Sequence, residues 1–256
     1  MNEPDRHLWL SITLLSDTTF GRGDGVAGMV DAEVQYDAYG LPYLSGKTLK
    51  GLLNAACAEV LYGLQSSGCA LELWQEAADF LFGQPGSGGE MAKMQVGDAQ
   101  LPADLRACIQ EEFRTLSVKH QHKPTTLEAE WGRLRKKNLE TLTDVRRQTA
   151  MDGKTGAPKH NSLRAMRVIV RETLFVAELN FNQQPDPRAK QLLAAVVCAL
   201  TRVGTSRNRG LGRVKVALFD QPMYRWDADK PVAVQAVTSN WLAKFAEEVR
   251  RECADV

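Results

Sequence analysis

The residues best equipped for chemistry in this 256-residue chain lie in Thr201–Lys215, TRVGTSRNRGLGRVK, which carries Arg202, Arg207, Arg209, Arg213 and Lys215 and no acid. Guanidinium groups pair bidentately with phosphate, and Gly204, Gly210 and Gly212 allow close backbone approach, so the stretch has the chemistry of a polyanion-binding loop. A flexible surface turn is the plainer alternative. A second candidate is Ser45–Lys50, where Ser45 or Gly46 caps a helix whose free first-turn amides, with Lys47 and Lys50, suit a phosphate. Its alternative is a solvated first turn. Arg146, Arg147, Lys154, Lys159, His160 and Arg164 add a third positive cluster.

Other patterns fail on their context. Gly23-Asp24-Gly25-Val26-Ala27-Gly28 matches G-x-G-x-x-G, yet a strand rather than a helix follows it, so no helix N-terminus meets a pyrophosphate. Gly46-Lys47-Thr48 resembles the end of a P-loop, but Leu41 stands where that motif needs glycine. His120-Gln121-His122 lacks further ligands at metal-site spacing and reads as loop histidines. Cys57, Cys69, Cys108, Cys198 and Cys253 are odd in number and contain no C-x-x-C pair, so they read as reduced, mostly buried small hydrophobes.

The elements that must position these residues follow from periodicity. Leu8–Leu15 alternates as a first strand; Leu49, Leu52, Leu53, Cys57, Val60, Leu61 and Leu64 recur at helical spacing; Leu71–Phe82 continues as a second helical piece. A strand is expected near Met94–Ala99, and Arg167–Val170 with Leu174–Phe181 reads as a paired-strand unit. Pro187–Thr201 is a second main helix, Val214–Phe219 a closing strand and Asn240–Cys253 an amphipathic C-terminal helix. Strand, helix, strand, strand, helix, strand is the order of a ferredoxin-like α+β domain. Residues 1–256 are read as one domain with an insertion at 118–165, a segment holding eleven Lys or Arg against five Asp or Glu and too little apolar periodicity for a core of its own.

Composition narrows the function classes. With 44% hydrophobic and 25% charged residues the chain is that of a globular protein, and a net charge of +1 means that any polyanion partner depends on local clustering. No apolar run is long enough for a membrane span, and Met1–His7 lacks the pattern of a signal peptide, so a cytoplasmic location without a membrane partner is expected. Basic clusters beside a ferredoxin-like sheet, with no recognition helix or zinc finger, favour single-stranded nucleic acid.

In this order the pieces resemble the RAMP superfamily, and in particular the backbone subunits of type III, Csm/Cmr-like, CRISPR effector complexes. The resemblance runs through Gly21–Gly28, Val30-Asp31-Ala32-Glu33-Val34 and Gly40-Leu41-Pro42-Tyr43-Leu44-Ser45-Gly46-Lys47-Thr48-Leu49-Lys50-Gly51. It continues in Leu81-Phe82-Gly83, Val96-Gly97-Asp98-Ala99, Arg147-Gln148-Thr149-Ala150-Met151-Asp152 with Thr155-Gly156, Ser162-Leu163-Arg164, and Arg209-Gly210-Leu211-Gly212-Arg213-Val214. The wording leans toward the III-D-like branch. It departs from the family's Pro-Gly-Ser-Ser-Leu-Lys-Gly at Ser45–Gly51, where the lost proline loosens the helix entry and Lys47 adds a charge.

The resemblance implies an RRM-like core with a basic thumb inside 118–165, copies stacking along a guide RNA with other RAMP subunits, and target RNA pairing across the stack. It assigns RNA contacts to Lys47, Lys50, Arg146, Arg147, Arg164, Arg207, Arg209, Gly210, Gly212 and Arg213. It also places Asp31 where cleaving members carry the aspartate of a metal-dependent endoribonuclease, with Mg²⁺ or another divalent ion as cofactor, no organic cofactor, and Asp24, Glu33 and Asp37 as rival acids. A non-cleaving scaffold or capping subunit is the alternative. A stand-alone processing ribonuclease is a further one, and would need His7, His120, His122 or His160 at the scissile bond.

Overall fold

A computed structural model describes residues 6–23, 30–84, 86, 89–222, 224–227 and 230–254. In chain order the elements are β1 (His7–Leu14), α1 (Gly46–Ser66), α2 (Glu72–Phe82), β2 (Met94–Val96), α3 (Ala103–Lys119), α4 (Pro124–Leu142) and β3 (Thr143–Gln148). There follow β4 (Arg164–Ile169), β5 (Leu174–Phe181), α5 (Pro187–Ala199), β6 (Val214–Phe219), β7 (Tyr224–Asp227), β8 (Lys230–Ala233) and α6 (Thr238–Ala254). Alternation in β1 turns Leu8, Leu10, Ile12 and Leu14 to one side, where all four are buried. The strand is central, paired antiparallel with β5 and β6, and β2 extends the sheet to the order β2-β5-β1-β6.

With α1 and α5 in the crossovers, this is the ferredoxin-like α+β arrangement expected from the sequence. Both crossover helices start where side chains satisfy the first-turn amides: Ser45 accepts from the Thr48 N–H, and Asp186 accepts from the Ala189 N–H at 2.6 Å with Pro187 opening the helix. Helix α5 contributes Leu192, Leu193, Val196 and Val197 to the core and packs against α1, α2 and α6.

Three features depart from the sequence reading. The strand β4 pairs with β3, from Thr143 opposite Ile169 to Gln148 opposite Arg164, and not with β5. The short turn before Leu174 suggested a hairpin, but the Ile169 N–H and carbonyl bond Thr18 at 2.7 and 3.0 Å and draw β4 away from the main sheet. The segment 118–165, secondly, is not without structure of its own: it takes in the end of α3 and all of α4 before the β3–β4 hairpin. These helices are rich in helix formers and carry exposed pairs such as Glu111–Arg114 and Glu130–Arg133, while Phe113 and Trp131 meet Tyr39 in a ring cluster and Ile109, Leu139 and Leu142 pack against the core. No described residue of α4 is fully buried.

The cysteine reading is corrected as well. Cys69, in the turn after α1, and Cys253, near the end of α6, form a disulfide with Cα atoms 4.9 Å apart across a sequence separation of 184. Spacing could not reveal it, because only the folding of α6 back onto α2 and α5 brings the two together. That helix is also held by Arg188, which bonds Glu252 and Glu248 at 2.6 and 2.9 Å and lies 4.7 Å from the Trp74 ring centroid. Among the described residues no helix is long and apolar enough to cross a membrane.

Candidate nucleic-acid interface

The hairpin β3–β4, the face of α1 and the loop after α5 enclose a cleft of about 1540 Å³. Leu52, Ala55, Ala56 and Glu59 of α1 recur at helical spacing and form one wall. The hairpin brings Gln148, Arg164 and Met166 with Lys159 and His160 from its tip, and the loop brings Leu200, Thr205, Arg207 and Arg209. Asn161 and Ser206, both with φ of 56°, line it too and hold the left-handed backbone that non-glycine residues seldom adopt.

Hydrogen bonds to β1's outgoing loop set the Gly/Arg loop. Gly212 donates to the Asp17 carbonyl at 3.0 Å, Thr205 to the Thr19 carbonyl at 3.0 Å and the Arg213 N–H to Ser16 Oγ at 2.9 Å. Gly212 has φ +78°, and a Cβ there would stand 2.1 Å from the Val203 carbonyl oxygen. The close approach that requires this glycine is thus made by the chain's own backbone. Gly210, at φ +83°, faces open space. Arg202 spends its guanidinium on the loop itself, donating to the Arg207 and Leu211 carbonyls at 2.7 and 3.2 Å. Lys159, Arg164, Arg207 and Arg209 are exposed and ion-pair with no acid among the described residues.

The remaining basic candidates lie apart from this group. Arg146 pairs with Asp17 at 2.8 Å and Asp144 at 3.0 Å, and the Asp17 hydrogen bond, then the charges of Asp17 and Asp144, raise its pKa further. It therefore fastens the hairpin base to the first loop. Strand alternation puts Arg147 on the opposite hairpin face from Gln148 and Arg164, and Arg213 is exposed beyond the cleft lining. Neither Lys47 nor Lys50 lines the cleft. Lys50 donates to the Met94 carbonyl at 3.1 Å, and burial lowers its pKa.

The start of α1 is also less open than the sequence suggested. Asp98 accepts from the Gly46 N–H at 2.7 Å, so a carboxylate of the chain already occupies part of the expected anion site. A Cβ on Gly46 would stand 2.1 Å from the Val96 carbonyl oxygen, which explains the glycine by packing against β2.

Asp31 is exposed and docked on β4. Its N–H donates to the Ala165 carbonyl and its Oδ2 accepts from the Ala165 N–H, both at 2.7 Å. Of the rival acids, Glu33 is buried against Arg167 at 2.9 Å, Asp37 closes a turn by accepting from the Tyr39 and Leu41 N–H groups, and Asp24 lies outside the described residues. No cluster of three or more His, Cys, Asp or Glu suited to a metal ion occurs among the described residues. Asp31 can supply one carboxylate ligand, which fits a divalent ion that takes its other ligands from water and phosphate. Among the histidines, His160 lines the cleft, while His7 bonds Asn180 at 2.7 Å on the main sheet.

The RAMP superfamily model matches residues 11–215. The chain belongs to the RAMP superfamily. Its fold is similar to a chain of the type III-B Cmr-beta complex bound to cognate target RNA, with a TM-score of 0.56 and 12% identity over 83% of this chain and 96% of that one. A chain of the apo Cmr-beta complex gives the same score and identity over 88% and 98%. No curated relative matches in sequence. The RAMP match takes in the whole cleft and ends before β7, β8 and α6. Of the residues lining the cleft, the sequence points to Lys159, His160, Arg164, Arg202, Gly204, Arg207 and Arg209, but not to Glu59 or the apolar wall, whose helical spacing reads as ordinary core.

Proposed function

We propose that this RAMP protein is an RNA-binding subunit of a type III CRISPR effector complex, holding the backbone of a guide RNA in the cleft between α1, the β3–β4 hairpin and the Gly/Arg loop, beside other RAMP subunits and a target RNA. The observation that carries this reading is the convergence of Lys159, Arg164, Arg207 and Arg209, drawn from two distant segments, on one cleft without acidic partners. Unpaired guanidinium groups are free to neutralise phosphates and release counterions. The Cmr-beta neighbours support membership of such a complex through their fold.

Cleavage of bound target is assigned to Asp31. Its main chain anchors it to Ala165, and its exposed carboxylate would hold a divalent ion or orient a 2′-hydroxyl beside the phosphate. The ion, when bound, would stabilise charge on the phosphate oxygens. A scaffold role is the second reading, favoured by the Ala165 N–H already engaging Oδ2.

Two variants test these statements. Replacing Arg164, Arg207 and Arg209 together by Ala should flatten the log–log salt dependence of RNA binding by about 2, at roughly 0.7 per phosphate contact on a single strand. An unchanged slope refutes the cleft as backbone site. Asp31→Ala should keep RNA affinity within a few-fold and abolish Mg²⁺-dependent cutting; cutting at the wild-type rate makes the subunit a scaffold.

A further inference from the structure

The two sulfurs of the Cys69–Cys253 bridge stand on parts of unequal firmness. Cys69 is 6% exposed and follows α1 in a turn where the Ser67, Gly68 and Cys69 N–H groups donate to the Gly63, Gln65 and Leu64 carbonyls at 3.1, 3.0 and 3.1 Å. Cys253 lies in the last turn of α6 and is only partly buried. Helix α6 is a cover and not a core element: among its described residues only Thr238 is buried, and Trp241, Leu242, Phe245 and Val249 are partly buried where they meet the core. The RAMP match ends at residue 215, so the helix also stands outside the matched core. Beneath it lies Trp74 of α2, fully buried, which donates its Nε1–H to Glu252 at 2.8 Å and meets the Phe245 ring edge-on with centroids 4.8 Å apart. Arg188 of α5 pairs with Glu248 and Glu252. A helix held by half-buried contacts opens locally at far lower cost than the core, unless a covalent link holds its free end.

We propose that the Cys69–Cys253 bridge is a thiol-reversible latch: oxidised, it clamps α6 over Trp74 and α5; reduced, it lets α6 open while the RAMP core stays folded. The co-reactant is a dithiol. One of its thiolates attacks the sulfur of Cys253, the more exposed of the two, and Cys69 leaves as a thiolate that takes a proton from water. The second thiol of the reductant then attacks the mixed disulfide, closing the reductant's own disulfide and freeing Cys253. Two electrons and two protons pass from the dithiol to the cysteine pair, and a small-molecule disulfide takes them back when the latch closes. Opening removes the Glu252 acceptor from Trp74 and both carboxylates from Arg188, so the face shared by α2 and α5 becomes accessible in the reduced protein.

The test is hydrogen exchange of the full-length protein, read by mass spectrometry before and after incubation with dithiothreitol. In the reduced protein the amides of α6, Thr238–Ala254, should exchange at least about tenfold faster, because the helix end is no longer tied to Cys69, while β1, α1 and α5 keep their protection. Oxidised glutathione should restore the slow exchange. Cys253→Ser, without any reductant, should behave as reduced wild type does. Unchanged α6 exchange on reduction overturns the latch, and so does alkylation of both Cys69 and Cys253 in protein never exposed to reductant, since no bridge then forms. Loss of protection in β1 and α5 together with α6 overturns it as well, because the bridge then holds the whole core and not one helix.

Discussion

Replacing Glu33 by alanine should be among the most damaging single changes in the protein. Glu33 is 4% exposed and stands 2.9 Å from Arg167, whose side chain is 10% exposed. The same carboxylate accepts from the Val34 N–H at 2.9 Å, and Arg167 reaches Thr143 Oγ1 at 3.3 Å. Removing the carboxylate leaves a buried guanidinium without its counter-charge, a change that costs about 3–5 kcal/mol, and strips a buried N–H of its acceptor. Against a total stability of roughly 5–15 kcal/mol this is a large fraction. In urea unfolding, with a slope of about 3 kcal/mol per M, the midpoint should fall by more than about 1 M. Replacing both partners, Glu33→Met with Arg167→Met, should recover much of the loss, because the cost lies in the orphaned charge. A Glu33→Ala midpoint within about 0.3 M of wild type, or a double variant as unstable as the single one, refutes this reasoning. Since Arg167 donates its N–H to the Ala32 carbonyl beside Asp31, the single variant should also lower any Asp31-dependent cutting at temperatures where it remains folded.

Two further outcomes follow from the cysteines. Cys253→Ser, or a dithiol reductant acting on wild type, should lower the melting temperature by about 10–20 °C, because the bridge spans a sequence separation of 184 and closing so long a loop contributes about 5 kcal/mol; identical melting with and without reductant refutes the bridge as a staple. Burial, and then the nearby Asp79 charge, push the Cys57 thiol up to about 12, so in native protein at pH 8 it should resist iodoacetamide while exposed Cys108 is alkylated, as peptide mass mapping would show. The sign follows from the raised value: the folded state retains this proton, so the associated stability is intact below the ordinary thiol pKa of 9.0 and erodes as pH rises toward about 12. Equal labelling of Cys57 and Cys108 contradicts the burial.

The sequence by itself determined the elements of the RAMP core, because each leaves a periodic trace within one short window. Leu8, Leu10, Ile12 and Leu14 alternate, the α1 and α5 apolar residues recur at helical spacing, and the Arg/Gly composition of the loop after α5 declares its charge. Tertiary structure decided which of the basic residues act together. Arg146 and Arg147 are neighbours of like type, yet strand alternation sends them to opposite faces, and Asp17, distant in sequence, claims Arg146. Gly212 and Gly46 look like ligand-binding glycines until the Val203 and Val96 carbonyls are seen against them. The Cys69–Cys253 bridge, the Glu33–Arg167 pair and the place of Glu59 in the cleft are likewise contacts between segments far apart in the chain. Local periodicity records which face of an element is buried, but not which distant group it meets, since that depends on how the whole chain closes.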